Sequence, residues 1–282
     1  MINYLAEGQD IIVSGLSDIS LQDTLDCGQC FRFSKIDEEL FEGVAGEHYL
    51  KVGKQGDIVR FYNTTEELFC SFWKRYFDMD TDYLSIRTSL SQDEVLAKAI
   101  KYAPGIRVLK QDPWETLLSF ILSQNNNVKR IKGIVERLAA EFGEPIADGF
   151  YAFPTVERMA NCTLEDLVPL RAGFRAKYIM DAIQKVASGE LDLQKVAMLP
   201  TAEAQKSLIT IKGVGEKVAD CVLLYGFGRM ECFPKDVWIK RAVKHLYPQG
   251  LPQVLLENGG IAQQYIFHYA RTCPEAFVMT ED

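Results

Sequence analysis

Residues 208–221 read LITIKGVGEKVADC, and this stretch decides the fold class of the helical part of the chain. It predicts a helix, a short turn that contains Gly213 and Gly215, and a second helix. Two glycines two residues apart permit a tight turn whose backbone N–H groups point outward, and the next helix adds the positive end of its dipole. Such a turn predicts a binding site for one nucleic-acid phosphate. The alternative is an ordinary turn between two helices.

A lysine follows this turn directly. Lys217 lies in the first turn of the second helix, where a cation opposes the helix dipole. It shares a helix face with Cys221, because the two residues are four positions apart. Partial desolvation beside a thiol favours the neutral amine, whose lone pair can attack carbon. Lys217 is therefore a candidate nucleophile, and the alternative is a solvated surface lysine.

A carboxylate follows further along the chain. Asp236 comes directly after Pro234 and Lys235, and it fits the N-cap position of the segment VWIKRAVKHLY. Standing across a pocket from Lys217, it would stabilise positive charge that develops on a sugar ring and would orient the lysine. The alternative is that Asp236 only caps its helix.

The chain as a whole predicts an α+β fold. Residues 48–52 and 57–62 alternate apolar and polar side chains, and the glycine-containing segment 53–56 between them predicts a hairpin connection. We expect an N-terminal domain over 1–105, made of an antiparallel sheet with flanking helices, and an all-helical domain over 106–282. Apolar spacing, Asp112-Pro113 as a helix start and Gly143 as a stop predict helices near 66–77, 92–102, 113–124, 129–142, 163–170, 174–188, 202–209, 215–226, 236–246 and 258–271.

Charge and composition narrow the class of protein. The net charge is −8, yet residues 101–140 hold seven basic and three acidic side chains, and residues 206–247 hold eight and four. A locally basic face can therefore meet phosphates, although these lysines can also merely solvate helices. No apolar stretch is long enough for a membrane span, and the N-terminus lacks the features of a secretory signal. Seven scattered cysteines favour a reducing, intracellular location, in the cytoplasm or nucleoid.

Several motifs together resemble the helix–hairpin–helix DNA glycosylases and, within them, the 8-oxoguanine DNA glycosylases. The resemblance covers about residues 10–275. It includes the Gly213-x-Gly215 turn, the lysine motif 217–221 and the Asp236 segment. Further matching motifs are CGQCFRF at 27–33, QDP at 111–113, NNNVKRI at 125–131 and FRAKY at 174–178.

This resemblance implies a role for each matching residue. Lys217 would attack C1′ of the damaged nucleotide and form a Schiff base, β-elimination would then cut the strand, and Asp236 would be its essential partner. The Gly28 carbonyl would accept a hydrogen bond from N7–H of 8-oxoguanine, which guanine lacks. The other implied contacts are Gln263 at the pairing edge of the base, Cys221 and Phe267 sandwiching its ring, Asn125 filling the gap in the duplex, Phe174, Arg130 and Arg175 beside the opposite base, and Gly213, Gly215 and Trp238 at phosphates.

Three positions depart from the family pattern. Phe174 stands where the family often has Tyr, Trp238 where a phosphate-contacting His is common, and Gln124 where a small Ser is found. These departures predict relaxed discrimination of the base opposite the lesion.

The implied partner is duplex DNA that contains 8-oxoguanine, bound by a monomer without a membrane, a metal or an organic cofactor. Cys27 and Cys30 are interpreted as packing residues. Two alternatives are a glycosylase of the same fold that removes other damaged purines through water and Asp236, and a non-catalytic helix–hairpin–helix DNA-binding protein.

Overall fold

The structure is a computed structural model that describes residues 2–16, 18–236, 239–240, 243–244 and 247–273. The predicted helix at 236–246 falls partly outside these residues. Within the described ranges, no helix combines the length and the apolar character that crossing a bilayer would require.

The N-terminal part is an antiparallel sheet, as the hairpin pattern predicted. Its six strands lie in the order β1-β2-β6-β5-β4-β3. Their bounds are Asn3–Glu7 (β1), Asp10–Ser14 (β2), Phe33–Asp37 (β3), Leu40–Ala45 (β4), His48–Gln55 (β5) and Ile58–Tyr62 (β6). Strands β1 and β2 lie outside the region in which the sequence showed alternation, and they extend the sheet beyond β6.

The β5–β6 hairpin turns later than the glycine pattern suggested. Gly53 was expected in the connection, but it pairs with Arg60 inside the ladder, and β5 continues to Gln55. The turn is made at Gly56, which has a φ of +63° and an open position around it. The strand position favours glycine, because a Cβ there would lie 2.9 Å from the Leu40 side chain.

One helical segment covers the sheet and closes the first core. This segment, α2, runs through Glu66–Leu68, a π-helical turn at Phe69–Trp73, and Lys74–Tyr76. Phe61 of β6 packs edge-on against Phe69 and Phe77, with ring centroids 5.2 and 5.5 Å away. The Thr65 hydroxyl caps the segment by accepting a hydrogen bond from the Leu68 N–H. The segment therefore begins at Glu66, the first residue of the predicted helix over 66–77.

The remaining described helices form a second core. The short helix Leu21–Leu25 (α1) comes earlier in the chain, between β2 and β3. The others are Tyr83–Leu90 (α3), Glu94–Tyr102 (α4), Pro113–Ser123 (α5), Val128–Phe142 (α6), Val156–Met159 (α7), Arg175–Ala187 (α8), Leu193–Met198 (α9), Thr201–Ile209 (α10), Glu216–Cys221 with a π-helical continuation at Val222–Gly226 (α11), Gln253–Glu257 (α12) and Gly259–Thr272 (α13). A two-stranded ladder of Pro145–Ala147 and Phe150–Tyr151 follows α6.

Helix α5 starts as its sequence predicts. The Asp112 side chain accepts a hydrogen bond from the Glu115 N–H at 2.8 Å, and Pro113 occupies the first helical position. The predicted helix over 163–170 is not α-helical, however. It consists of turns and the 3₁₀ helix Val168–Leu170. Pro169 lacks an N–H group and Arg171 takes a left-handed φ of +57°, so the segment cannot continue as an α-helix.

The two cores meet near the predicted boundary. Leu96 and Ile100 of α4 pack in the helical core, whereas Leu109 packs in the core of the sheet. A residue after position 105 therefore packs in the core of the sheet, and residues before it pack in the helical core. The division at 105 stays a prediction.

Candidate active site

The Gly-x-Gly turn joins α10 to α11 and packs against α8. Gly213 has a φ of +80°, and a Cβ on it would lie 2.3 Å from the Tyr178 ring. The N–H of Lys212 donates to the Asp181 carboxylate at 2.8 Å. Gly215 is the N-cap of α11, is exposed, and has open space where a side chain would be. The turn is thus fixed on its inner side and open on its outer side.

Lys217 projects from the first turn of α11 over an aromatic ring. Its ammonium lies 5.2 Å from the centroid of the Phe120 ring, and its side chain is half-buried. Phe120 in turn stacks on Tyr225, with centroids 5.3 Å apart and planes within 12°. Phe120 was not expected from the sequence, because in WETLLSFILSQ it is one of several apolar residues and nothing local distinguishes it.

Cys221 lies one helical turn beyond Lys217 and is buried. Burial raises the pKa of its thiol to about 11, while the neighbouring Lys217 ammonium acts in the opposite direction. The thiol is therefore neutral at physiological pH and presents a small, polarisable surface beside the ammonium.

Asp236 caps the helical turn that follows it. Its carboxylate accepts a hydrogen bond from the Ile239 N–H at 2.6 Å, and its carbonyl accepts one from Lys240 at 2.9 Å. Its negative charge also raises the pKa values of Cys221 and Tyr225, although burial is the larger cause for both. Asp236 is therefore near enough to influence Cys221 and Tyr225, two residues of the helix that carries Lys217.

A cleft of about 420 Å³ adjoins Lys217. Lys235 and Lys240 line it together with Lys217, while Glu216 and Asp220 contribute acidic groups. Of the predicted site residues that the structure describes, only Lys217 lines this cleft, so the cleft shows that the lysine is accessible but is not the space between Lys217, Asp236 and Gln263.

Gly28 and helix α13 form a second wall of the site. Gly28 has a φ of +93°, and a Cβ on it would lie 3.9 Å from the Phe267 ring. Gln263, one turn before Phe267, is buried, and its Oε1 has no hydrogen-bond partner among the described residues. A buried amide oxygen without a partner is costly unless a ligand completes it.

A buried chain of polar groups links this wall to Cys221. The Tyr225 hydroxyl donates to Gln264 Oε1 at 2.7 Å, and Gln264 Nε2 contacts the Cys27 sulfur at 2.9 Å. Burial raises the pKa of the Cys27 thiol to about 12. Tyr225 lies one turn after Cys221, so the network connects the lysine helix α11, through α13, to the residue that precedes Gly28.

Two further residues of α13 hold the Gly28 segment. Arg271 Nη1 donates to the Cys27 carbonyl at 3.4 Å, and His268 lies 3.4 Å from the Asp23 carboxylate of α1. Neither was identified from the sequence. They become recognisable only once α13 is seen against α1.

The predicted gap-filling and opposite-base residues lie together at the C-terminal end of α5. Asn125 and Arg130 are exposed, and Phe174 is 51% exposed. Arg175 is different, because it is 2% exposed and donates to backbone carbonyls. Trp238 lies outside the described residues. Cys27 and Cys30 are buried free thiols. Among the residues that the structure describes, no three His, Cys, Asp or Glu side chains are grouped for a metal ion.

Comparisons with known proteins agree with this architecture. Residues 11–117 match the family model "8-oxoguanine DNA glycosylase, N-terminal domain", and residues 118–250 match "HhH-GPD superfamily base excision DNA repair protein". The N-glycosylase/DNA lyase of Saccharomyces cerevisiae is 30% identical over 261 residues, which are 82% of this chain and 69% of the relative. A probable N-glycosylase/DNA lyase of Methanothermobacter thermautotrophicus is 33% identical over 228 residues, covering 69% and 72%.

Solved structures give the same result. The protein MBOgg1, in complex with a low-affinity DNA ligand, superposes with a TM-score of 0.91 at 44% identity, over 97% of this chain and 99% of that one. The Clostridium acetobutylicum 8-oxoguanine glycosylase/lyase, bound to double-stranded DNA with cytosine opposite 8-oxoguanine, gives 0.89 at 37% identity, over 97% and 98%. The chain belongs to the 8-oxoguanine DNA glycosylase family, within the HhH-GPD superfamily of base excision DNA repair proteins.

Proposed function

We propose that this protein removes 8-oxoguanine from duplex DNA and then cleaves the strand by β-elimination through a Schiff base on Lys217. The observation that carries the proposal is the position of Lys217, half-buried over Phe120 and beside the Cys221 thiol. A base inside a duplex is out of reach of any such amine, so the damaged nucleotide must first be flipped out, at a cost of a few kcal/mol.

The amine of Lys217 attacks C1′ of the flipped nucleotide. The bond from C1′ to the base breaks, its electron pair leaves with the purine, and the purine takes up the proton that the attacking nitrogen loses. Opening of the sugar gives a protonated Schiff base, which acidifies the C2′ hydrogens. Loss of a C2′ proton then expels the phosphate on the 3′ side and cuts the strand.

Asp236 stabilises the positive charge that develops on the sugar as the purine leaves. Its position as an N-cap supports this role, since the hydrogen bond from Ile239 fixes one carboxylate oxygen. The second oxygen retains acceptor capacity for the sugar or for Lys217.

Recognition of the base rests on Gly28, Gln263, Cys221 and Phe267. The Gly28 carbonyl accepts N7–H of 8-oxoguanine, whereas the lone pair at N7 of guanine would be repelled. The unpartnered Oε1 of Gln263 supports a contact with the pairing edge of the base, because a bound purine would supply the missing donor. Cys221 and Phe267 supply the two faces between which the ring stacks.

The duplex is held on the neighbouring surface. Asn125 fills the gap, Arg130 and Phe174 flank the opposite base, and the N–H groups of Gly213 and Gly215 bind a phosphate together with Trp238. A protein acting on such DNA works inside the cell, in the cytoplasm or nucleoid.

Borohydride trapping tests the proposal. The protein is incubated with a duplex that carries 8-oxoguanine, and sodium borohydride reduces any Schiff base to a stable covalent complex. The wild-type protein is expected to give the complex and Lys217→Gln to give none. Lys195→Gln is the matched control, because Lys195 is a solvated lysine paired with Asp192.

The other outcomes identify the alternatives. Base release without a complex in the wild-type protein indicates a monofunctional glycosylase that uses water and Asp236. Binding without base release indicates a DNA-binding module. Either result would overturn the proposed Schiff-base mechanism.

The opposite-base preference is tested separately. We expect cleavage opposite C to exceed cleavage opposite A, G or T by less than about a hundredfold, or under roughly 3 kcal/mol. Phe174→Tyr restores the hydroxyl that the family often has there, and it should increase the preference for C. A wild-type ratio well above a hundredfold would contradict the expectation.

A further inference from the structure

Gly28, whose carbonyl is proposed to contact N7–H of the damaged base, is held by the residues on both sides of it. Before it, the Cys27 thiol donates to the Thr24 carbonyl at 3.4 Å. After it, Gln29 Nε2 donates to the same Thr24 carbonyl at 2.8 Å and to the Arg107 carbonyl at 2.7 Å. The Gly28 carbonyl itself accepts no hydrogen bond from the residues that the structure describes, so it keeps its acceptor capacity for a ligand.

Gln264 connects this segment to the helix that carries Cys221. Its side chain is buried on α13, its Nε2 contacts the Cys27 sulfur at 2.9 Å, and its Oε1 accepts from the Tyr225 hydroxyl at 2.7 Å. Both polar ends of the amide are therefore used inside the protein. Because Tyr225 lies one turn after Cys221, this one side chain bridges the Gly28 segment and a proposed face of the base-binding site.

The neighbouring residue on α13 is Gln263, the proposed contact to the pairing edge of the base. Adjacent helical residues point about 100° apart, so one turn of α13 carries both the contact to the base and the contact that holds the Gly28 segment. The exposed Arg271 adds a longer contact to the Cys27 carbonyl, at 3.4 Å. Gln264 thus makes the shorter and the buried one of these two contacts from α13 to Cys27.

We infer that Gln264 is a positioning residue for recognition of the damaged base: it fixes the Gly28 carbonyl relative to Gln263 and thereby sets the preference for 8-oxoguanine over guanine. The inference rests on the proposed function for the identity of the base. A site that discriminates through one hydrogen bond loses selectivity when the acceptor shifts, because the correct base loses its bond and the wrong base escapes the repulsion.

The first experiment measures binding in the Lys217→Gln background, in which no covalent complex forms. Affinities are compared for two duplexes that carry 8-oxoguanine or guanine at the same position. Gln264→Met keeps the length of the side chain but removes both polar ends, and it should reduce the affinity ratio by about tenfold. Tyr265→Phe is the matched control, because it removes the contact of a neighbouring buried hydroxyl with the Pro104 carbonyl and should leave the ratio unchanged.

Tyr225→Phe is a milder variant that decides the question where Gln264→Met does not fold. It keeps the ring that stacks on Phe120 and removes only the hydroxyl that donates to Gln264. In the same background, the affinity ratio should fall by about threefold, and the substitution should have no further effect when Gln264 is already Met. A ratio for Tyr225→Phe equal to that of the background protein would overturn the inference.

A preformed abasic site separates positioning of the base contact from general damage to the fold. Such a site carries no base, so strand cleavage there does not use the Gly28 carbonyl. With Lys217 intact, Gln264→Met should slow 8-oxoguanine excision by about tenfold and change cleavage at the abasic site by less than about twofold. Equal losses on the two substrates would show a purely structural role and would overturn the inference.

The binding experiment also distinguishes this inference from the proposed function. No preference for 8-oxoguanine over guanine in the Lys217→Gln protein itself would refute the proposed base recognition, and with it the role of Gln264. A preference that is present and survives Gln264→Met unchanged would overturn the role of Gln264 alone.

Discussion

The Lys217 ammonium and the Phe120 ring face each other at 5.2 Å across the contact between helices α11 and α5. A cation over an aromatic face gains about 0.5–2 kcal/mol, depending on how far water is excluded. Phe120 is itself held by stacking on Tyr225, so its ring is a fixed surface against which the long, flexible Lys217 side chain packs. The contact keeps the amine beside Cys221 and directs it along the wall of the site.

Replacing Phe120 should slow the chemistry as well as weaken the fold. For Phe120→Leu we expect Schiff-base trapping to slow by about tenfold, since a freed lysine side chain regains roughly 1–2 kcal/mol of conformational entropy. Stability should fall by about 1–1.5 kcal/mol. Single-turnover trapping and urea unfolding measure the two effects. The control is Phe142→Leu, at the end of α6, where trapping should be unchanged. Equal rates for Phe120→Leu and the wild type would show that the ring does not position the amine.

Gly28→Ala should damage base recognition beyond its effect on stability. Gly28 has a φ of +93° beside Phe267 and Arg271, whereas Gly8 has a φ of +65° on an open turn. Alanine at either position should cost about 1–2 kcal/mol, because both backbones are left-handed. Only Gly28→Ala should also reduce 8-oxoguanine excision, by roughly tenfold or more, as its carbonyl shifts. Thermal melts and excision assays compare the two variants. Excision by Gly28→Ala equal to that by Gly8→Ala would contradict the assigned role.

The two glycines of the hairpin should respond differently to the same substitution. At Gly213 a methyl group would lie 2.3 Å from the Tyr178 ring, so Gly213→Ala should cost about 2–4 kcal/mol of folding free energy. At Gly215 the space is open, and stability should change by at most about 1 kcal/mol. Gly215→Ala should instead weaken duplex binding at low salt, since the methyl group occupies the space proposed for the phosphate. Unchanged affinity in Gly215→Ala would argue against a phosphate at this turn.

Glu115 should make the stability of the fold depend on pH. Burial raises the pKa of its carboxyl from 4.5 to about 7, and Arg32, 3.7 Å away, only partly offsets this. The folded state therefore binds a proton more tightly than the unfolded state. The stabilisation is complete below pH 4.5 and is lost as pH rises to 7, by about 3 kcal/mol in total.

Comparison with Glu115→Gln isolates this contribution. The variant cannot ionise at this position, so the wild-type protein should lose about 3 kcal/mol relative to Glu115→Gln between pH 4.5 and pH 7.5. Urea unfolding at several pH values measures the difference. A difference that stays constant over this interval would show that Glu115 does not titrate with a raised pKa.

The sequence by itself determined the features that depend on neighbouring residues. Asp112 and Pro113 predicted the start of α5, and the Gly213-x-Gly215 turn predicted a helix–hairpin–helix unit. These signals are local, because a cap or a tight turn is decided by the few residues that form it. The helix expected at 163–170 failed for a reason that is also local, since Pro169 was included in a helical pattern that it interrupts.

Tertiary structure decided which of several equivalent side chains serves the site. Gln263 and Gln264 are adjacent on α13, but Gln264 is hydrogen-bonded to Tyr225 and Cys27, while the Oε1 of Gln263 has no partner among the described residues. The rotation of helix α13 against its neighbours determines which of the two glutamines is hydrogen-bonded within the protein. Packing between helices also turns Arg175 toward the Gln124 and Asn125 carbonyls, which follow α5, and places Phe120 against Lys217. Such contacts join distant parts of the chain, so only packing, and not spacing along the sequence, establishes them.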